Sequence, residues 1–192
     1  MCLSRTPPEA LALGEMKVVL SWFETAPRRV LAAIAAICVA MLGFGLYIQH
    51  GLGIEPCPMC IVQRYAVLLV GITAGLTALS RRRGAWVAGS VLMLLFAGFG
   101  AFVAARQSWL QWFPPEFASC GRDFYGMIES FPLQRAIPMI FRGSGDCSKI
   151  DWTFLGGSLA NWSFLSLTAF GVAAIVLIVK QSRRRSERRA YA

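Results

Sequence analysis

Cys57-Pro58-Met59-Cys60 stands directly in front of a long apolar run, and Cys120 and Cys147 lie in the only long polar stretch between two other apolar runs. Thiols in pairs are oxidised and reduced by exchange, so two pairs at a membrane edge suit electron traffic. The CxxC spacing has a physical reason. Two intervening residues in a turn bring the sulfurs within bonding distance, and a helix N-terminus stabilises a thiolate through its dipole and free N–H groups. Pro56 and Pro58 suit the entry to such a helix, where a missing N–H costs little. Arg64 follows Cys60 by four residues and falls on the same face, one turn deeper. A guanidinium there would stabilise a Cys60 thiolate or an anionic ligand at the membrane boundary. Its plainer reading is a snorkelling or helix-paired residue.

The competing chemistry for four cysteines is zinc. Structural zinc sites show paired short spacings, whereas Cys120 and Cys147 have 26 residues between them and the single histidine is His50. No metal site is expected. His50 stands seven residues before Cys57. It reads first as an interfacial polar anchor, with proton transfer near the dithiol as the alternative.

The elements that must position these groups are membrane helices. Of 192 residues, 56% are hydrophobic and 15% charged, with net charge +9 and a mean hydropathy of +0.56. Four apolar segments, 30–48, 61–79, 85–105 and 159–179, are long enough to cross a hydrocarbon core about 30 Å thick at about 1.5 Å per residue. Backbone groups in lipid must be paired within their own segment, so all four are expected to be helices. The predicted fold is all-α: a polytopic four-helix transmembrane domain over 30–179, with outer loops at 49–60 and 106–158. An N-terminal segment, 1–29, and a basic tail, 180–192, flank it. Gly71 with Gly75, and Gly98 with Gly100, read as close-packing contacts between helices.

Orientation follows from the basic residues, which are retained in the cytoplasm. Arg28 and Arg29, Arg81 to Arg83, and Lys180 with Arg183, Arg184, Arg185, Arg188 and Arg189 occupy alternate connections on one side. The loop 106–158 holds five basic and five acidic residues and is neutral. Both termini are therefore expected in the cytoplasm. The basic tail reads as a topology determinant and lipid-headgroup contact, and no nucleic-acid partner is expected. The first apolar run is longer than a signal-peptide core and lacks a following A-x-A-like site, so it reads as a retained anchor. Met16-Lys17 would serve as a start as well as Met1, which makes residues 1–15 a dispensable extension on this reading.

This topology separates the six cysteines. Cys57, Cys60, Cys120 and Cys147 fall on the outer face, where disulfides persist, and four is the number that two disulfides require. Cys2 falls in the cytoplasm, and Cys38 within the first helix reads as a small buried apolar residue. In the long loop, Trp109, Trp112 and Phe113 look like interfacial aromatics. The segment 131–141 carries Leu133, Ile137, Ile140 and Phe141 on one face. A short amphipathic piece lying on the membrane would bring Cys147 towards Cys57; plain loop packing is the alternative.

Three stretches carry a resemblance: YIQHGLGIEPCPMCIVQR from Tyr47 to Arg64, LQWFPPEFASC from Leu110 to Cys120, and GSGDCSKIDWTFLG from Gly143 to Gly156. With four helices in the matching order, the chain resembles the DsbB family of bacterial inner-membrane thiol oxidoreductases from about Trp22 to Lys180. The resemblance implies redox disulfides Cys57–Cys60 and Cys120–Cys147. A reduced periplasmic thioredoxin-fold partner resembling DsbA would attack at Cys120, and freed Cys147 would then attack Cys57 and release Cys60 as a thiolate. That thiolate would meet a membrane quinone, ubiquinone or menaquinone, beside Arg64, with His50 a further candidate for the quinone site. The route from DsbA through DsbB to quinone is already known of the family. A single bundle with a complete relay needs no second copy, so a monomer is expected.

Two positions depart from the pattern: Gln63 stands where some relatives carry a carboxylate, and Gln107 where well-known relatives place a histidine. Quinone tuning and proton supply are in question there, while the cysteine relay and Arg64 are untouched. Two other readings compete. The CxxC preceding the loop pair argues against a four-helix redox protein resembling the vitamin K epoxide reductase family. A non-enzymatic scaffold with structural disulfides would leave Cys57 and Cys60 inert and Arg64 replaceable.

Overall fold

The computed structural model describes residues 21–23, 25–114, 148, 150 and 152–190. Cys2, Cys120, Cys147 and the segment 131–141 lie outside the described residues. Among the described residues four long helices are present: α1 (Pro27–Gly51), α2 (Pro58–Leu79), α3 (Arg83–Trp112) and α4 (Leu159–Ala190). Each contains a stretch long and apolar enough to cross a membrane. The all-α, four-helix architecture expected from the apolar segments is thus the one observed.

Every helix outruns its apolar segment. Hydropathy marks where a helix meets lipid, but backbone hydrogen bonding continues into polar surroundings wherever nothing breaks it. Prolines set two of the starts, with Pro27 and Pro58 in the first turns of α1 and α2. At 30 residues, α3 is about 45 Å long and must project past a core of about 30 Å. That projection carries Gln107 and Gln111 beyond the apolar segment that ends at residue 105. Likewise, α4 continues through the basic stretch to Ala190.

Packing runs in sequence, α1 on α2, α2 on α3 and α3 on α4. The main core joins Leu31, Ile34 and Cys38 of α1 to Val70 of α2, Met93 of α3 and Leu167 of α4. Ile72, Leu76, Leu95, Phe99 and Phe102 are exposed, as suits surfaces solvated by lipid. Small residues set the spacing between helices. A Cβ on Gly71 would stand 2.9 Å from Cys38 Cβ, and one on Gly100 would meet Ala66 Cβ at 2.7 Å. The other two glycines of the predicted pairs do not share this role: Gly98 faces open space, and Gly75 has only an ordinary contact with Ala35. Cys38 is fully buried, as its apolar reading required.

At the end where α1 begins, Arg28 Nε donates to the Ala78 carbonyl at 2.8 Å, and Trp86 Nε1 donates to the Ser80 carbonyl at 2.9 Å. These bonds satisfy carbonyls that the end of α2 would otherwise leave unpaired. At the opposite end a short antiparallel hairpin, β1 (Thr153–Phe154) and β2 (Gly157–Ser158), leads into α4. Its two turn residues, Leu155 and Gly156, have φ of 50° and 78°, the pattern of a type I′ turn.

Candidate functional site

Cys57 is the N-cap of α2, in extended conformation, and its sulfur accepts from the Cys60 main-chain N–H at 3.4 Å. Pro58, in the first turn, has no N–H to leave unpaired. Cys57 Sγ and Cys60 Sγ lie 3.0 Å apart, with the Cys57 thiol donating. The CxxC turn therefore delivers what its spacing implied, two sulfurs in contact at a helix start. Met59 between them is fully buried against Val103 and Leu110 of α3, which anchors the turn.

The sulfurs also face α3. Gln107 Nε2 donates to Cys57 Sγ at 3.3 Å and to Cys60 Sγ at 3.2 Å. Its Oε1 accepts from Gln63 Nε2 at 2.6 Å, and the Cys60 thiol lies 3.7 Å from the same oxygen. Both glutamines are buried. They were noticed in the sequence as departures from a pattern, but no local signal joins residues 44 apart in the chain.

Arg64 lies on the Cys60 face of α2, yet its guanidinium reaches across to α1. Nη1 donates to Gln49 Oε1 at 2.5 Å and Nη2 to the Gly45 carbonyl at 2.9 Å. Gln49 and Gly45 are site residues that sequence reasoning missed. The short side of glycine was the one available clue, since it exposes a carbonyl to an approaching side chain.

Cys60, Gln63 and Arg64 form part of the wall of a cavity of about 460 Å³ bounded by α1, α2, the start of α4 and the hairpin. The remainder is largely apolar, including Met41, Phe44, Val67 and Leu159. Aromatic rings close the hairpin side. Trp152 stacks with Phe154 at 6.0 Å and 7°, and meets Phe44 of α1 edge-on at 5.6 Å. Trp162 Nε1 donates to the Phe154 carbonyl at 3.0 Å, fastening the hairpin to α4. Beside this cavity a crevice of about 60 Å³ is lined by both cysteines, Gln107 and Gln111. Ser158 Oγ donates to Gln111 Oε1 at 2.6 Å there and ties the hairpin to α3.

His50 is elsewhere. It is exposed and lines a groove on the other side of Arg64, with Glu55 and Tyr65, apart from the two sulfurs. Among the described residues there is no group of His, Cys, Asp or Glu arranged to hold a metal ion. Chemically, the arrangement offers a thiol pair held by amide donors, open to an apolar cavity with one guanidinium on its wall. Such a site suits thiol–disulfide exchange beside a largely apolar ligand space.

Comparison with known proteins bears on most of the chain. The family described as Disulfide bond formation protein DsbB matches residues 27–177. Disulfide bond formation protein B of Acidovorax sp. (strain JS42) is 65% identical over 165 residues, covering 86% of this chain and 95% of that protein. The protein of the same name from Polaromonas naphthalenivorans (strain CJ2) is 68% identical over 160 residues, covering 83% of this chain and 96% of its own length.

Proposed function

The chain belongs to the DsbB disulfide bond formation family, and from that premise we propose that it reoxidises a periplasmic DsbA-like protein and passes the electrons to a membrane quinone. It is a multi-pass membrane protein and a protein-disulfide oxidoreductase. The proposed placement has the transmembrane domain over 30–179 in the inner membrane, both termini cytoplasmic and the four cysteines periplasmic, with the chain acting as a monomer. The asymmetric distribution of Arg28, Arg29, Arg81 to Arg83 and the tail supports it.

The observation that carries the reading is the sulfur pair 3.0 Å apart at the start of α2, opening on an apolar cavity with Arg64 in its wall. In the relay, a thiolate of the partner attacks Cys120, breaking the Cys120–Cys147 disulfide and releasing Cys147. Cys147 attacks Cys57; the Cys57–Cys147 bond forms and Cys60 leaves as a thiolate. The start of α2 receives that charge. The partner's second thiolate attacks its own sulfur in the bond to Cys120, so the partner leaves oxidised and Cys120 is freed; Cys120 then attacks Cys147, restoring the Cys120–Cys147 disulfide and releasing Cys57 beside Cys60 as a reduced pair. A cavity with apolar walls, an aromatic flank and a guanidinium fits a quinone, which Arg64, Phe44 and Trp152 would hold. A quinone, when bound, supplies the acceptor for two electrons and two protons as the Cys57–Cys60 disulfide is restored. Phe154 and Trp162, with ring centroids 6.1 Å apart, line the hairpin side of this space.

The test is anaerobic. Reduced DsbA-like protein and a soluble quinone analogue are added to the purified chain in detergent, and quinone reduction is followed by absorbance. Turnover that disappears in separate Cys57→Ser and Cys120→Ser variants supports the relay. No turnover across a range of thioredoxin-fold partners, with the cysteines verified as oxidised beforehand, refutes it.

A further inference from the structure

We propose that Gln107 is a catalytic residue, a non-titrating donor whose amide stabilises the Cys60 thiolate, and that Gln63 is the positioning residue that fixes which end of the amide meets the sulfurs. The proposal rests on the redox reading above and adds to it the group that sets the reactivity of the membrane-face pair.

A primary amide has two ends of opposite character. Its nitrogen donates and its oxygen accepts, so the sign of its effect on a thiolate depends on its orientation. Here Gln63 Nε2 donates to Gln107 Oε1 at 2.6 Å, which commits that oxygen and turns Nε2 towards Cys57 Sγ and Cys60 Sγ at 3.3 and 3.2 Å. With Gln63 as it stands, reversing Gln107 would place two N–H groups against each other and an oxygen against the developing negative sulfur. Burial strengthens the selection. Gln63 and Gln107 are 4% and 3% exposed, so water cannot satisfy whichever end is left over.

The amide can also serve the neutral thiol, since Cys60 Sγ lies 3.7 Å from Gln107 Oε1. Because the donor carries no charge, its contribution does not vanish as pH rises, as that of an imidazolium would. Arg64 does not substitute for it, since its two described bonds run to Gln49 and Gly45 on α1. The guanidinium is hydrogen-bonded to α1, and the Gln107 amide is hydrogen-bonded to the sulfurs.

The experiment measures thiolate formation separately from turnover. The full chain in detergent, reduced and held anaerobically, is alkylated with iodoacetamide across a range of pH, and mass spectrometry assigns the modified cysteine. Gln107→Leu is expected to lower the Cys60 thiolate fraction at neutral pH about tenfold, the scale of one charge-assisted hydrogen bond. Gln63→Leu should move the profile in the same direction by less, roughly twofold to fivefold. The double variant should match Gln107→Leu alone, because Gln63 acts through Gln107. Profiles of both single variants that superimpose on the wild type overturn the proposal; so does a double variant shifted by the sum of the two. Quinone reduction by the wild type is run alongside. Its absence counts against the redox reading, while the alkylation comparison still decides the role of the amide.

Discussion

Arg64 reaches from the second helix to the first and donates through Nη2 to the main-chain carbonyl of Gly45 at 2.9 Å. An arginine one turn below Cys60 is thereby held by a carbonyl and by Gln49, with its orientation set by two acceptors on α1. A planar fork with several donors can meet both acceptors; a lysine cannot do so in the same geometry.

Arg64→Lys should therefore keep the charge and lose the alignment. The expected outcome is a rise of roughly tenfold in the apparent KM for a soluble quinone analogue, on the scale of one lost charge-assisted bond. Quinone reduction at saturating partner protein measures it, and an unchanged KM would remove Arg64 from the acceptor site.

Gly45 gives a second handle on the same group. A Cβ there would lie 3.4 Å from Arg64 Nε and 3.5 Å from Nη2, so alanine just fits while the branches of valine must displace the guanidinium. We expect Gly45→Ala to behave nearly as wild type and Gly45→Val to resemble Arg64→Lys in KM. Equal kinetics for the two glycine variants would contradict this.

The order of attack is testable by trapping. A Cys147→Ala variant retains Cys120 without its partner thiol; incubated with a single-cysteine variant of a DsbA-like protein whose thiol is activated as a mixed disulfide with thionitrobenzoate, Cys120 should attack the partner's sulfur, displace thionitrobenzoate and accumulate a mixed disulfide. Non-reducing electrophoresis and peptide mapping identify the link; a bond through Cys57 instead would reverse the proposed order.

Close packing between α1 and α2 predicts a compensating pair. Gly71→Ala places a methyl 2.9 Å from Cys38 Cβ and should destabilise the detergent-solubilised protein by about 1–3 kcal/mol, the usual cost of overpacking. Adding Cys38→Gly removes the opposing Cβ and should recover a large part of the loss in thermal unfolding. No recovery in the double variant would mean that the two residues are not the limiting contact.

Leu155 occupies a left-handed position with φ 50° while its side chain is 81% exposed, so nothing buried compensates the strain. Leu155→Asn creates the Asn-Gly turn that type I′ geometry favours and should stabilise the hairpin by roughly 1 kcal/mol. Hydrogen exchange at Thr153 to Ser158 should slow by about fivefold on that scale. Faster exchange would show that the leucine side chain stabilises the turn.

The sequence by itself determined the features written along one dimension. A run of apolar residues has a length, and length against bilayer thickness gives a spanning helix; four such runs gave the bundle. Two residues between Cys57 and Cys60 place the sulfurs in one turn, and Pro58 marks where the helix starts, so the contact between the two sulfurs was legible in the sequence. The ends of the helices were not, because hydropathy follows the surrounding medium whereas hydrogen bonding follows the backbone. Tertiary structure alone decided what faces the sulfurs. Gln107 meets them across 47 and 50 residues of sequence, and Arg64 turns to Gly45 and Gln49 because α1 lies within reach. Those contacts depend on how far each helix is rotated and raised against its neighbour. Rotation and height are set by the joint packing of buried groups such as Gly71 on Cys38 and Gly100 on Ala66, and that packing is a property of all four helices together.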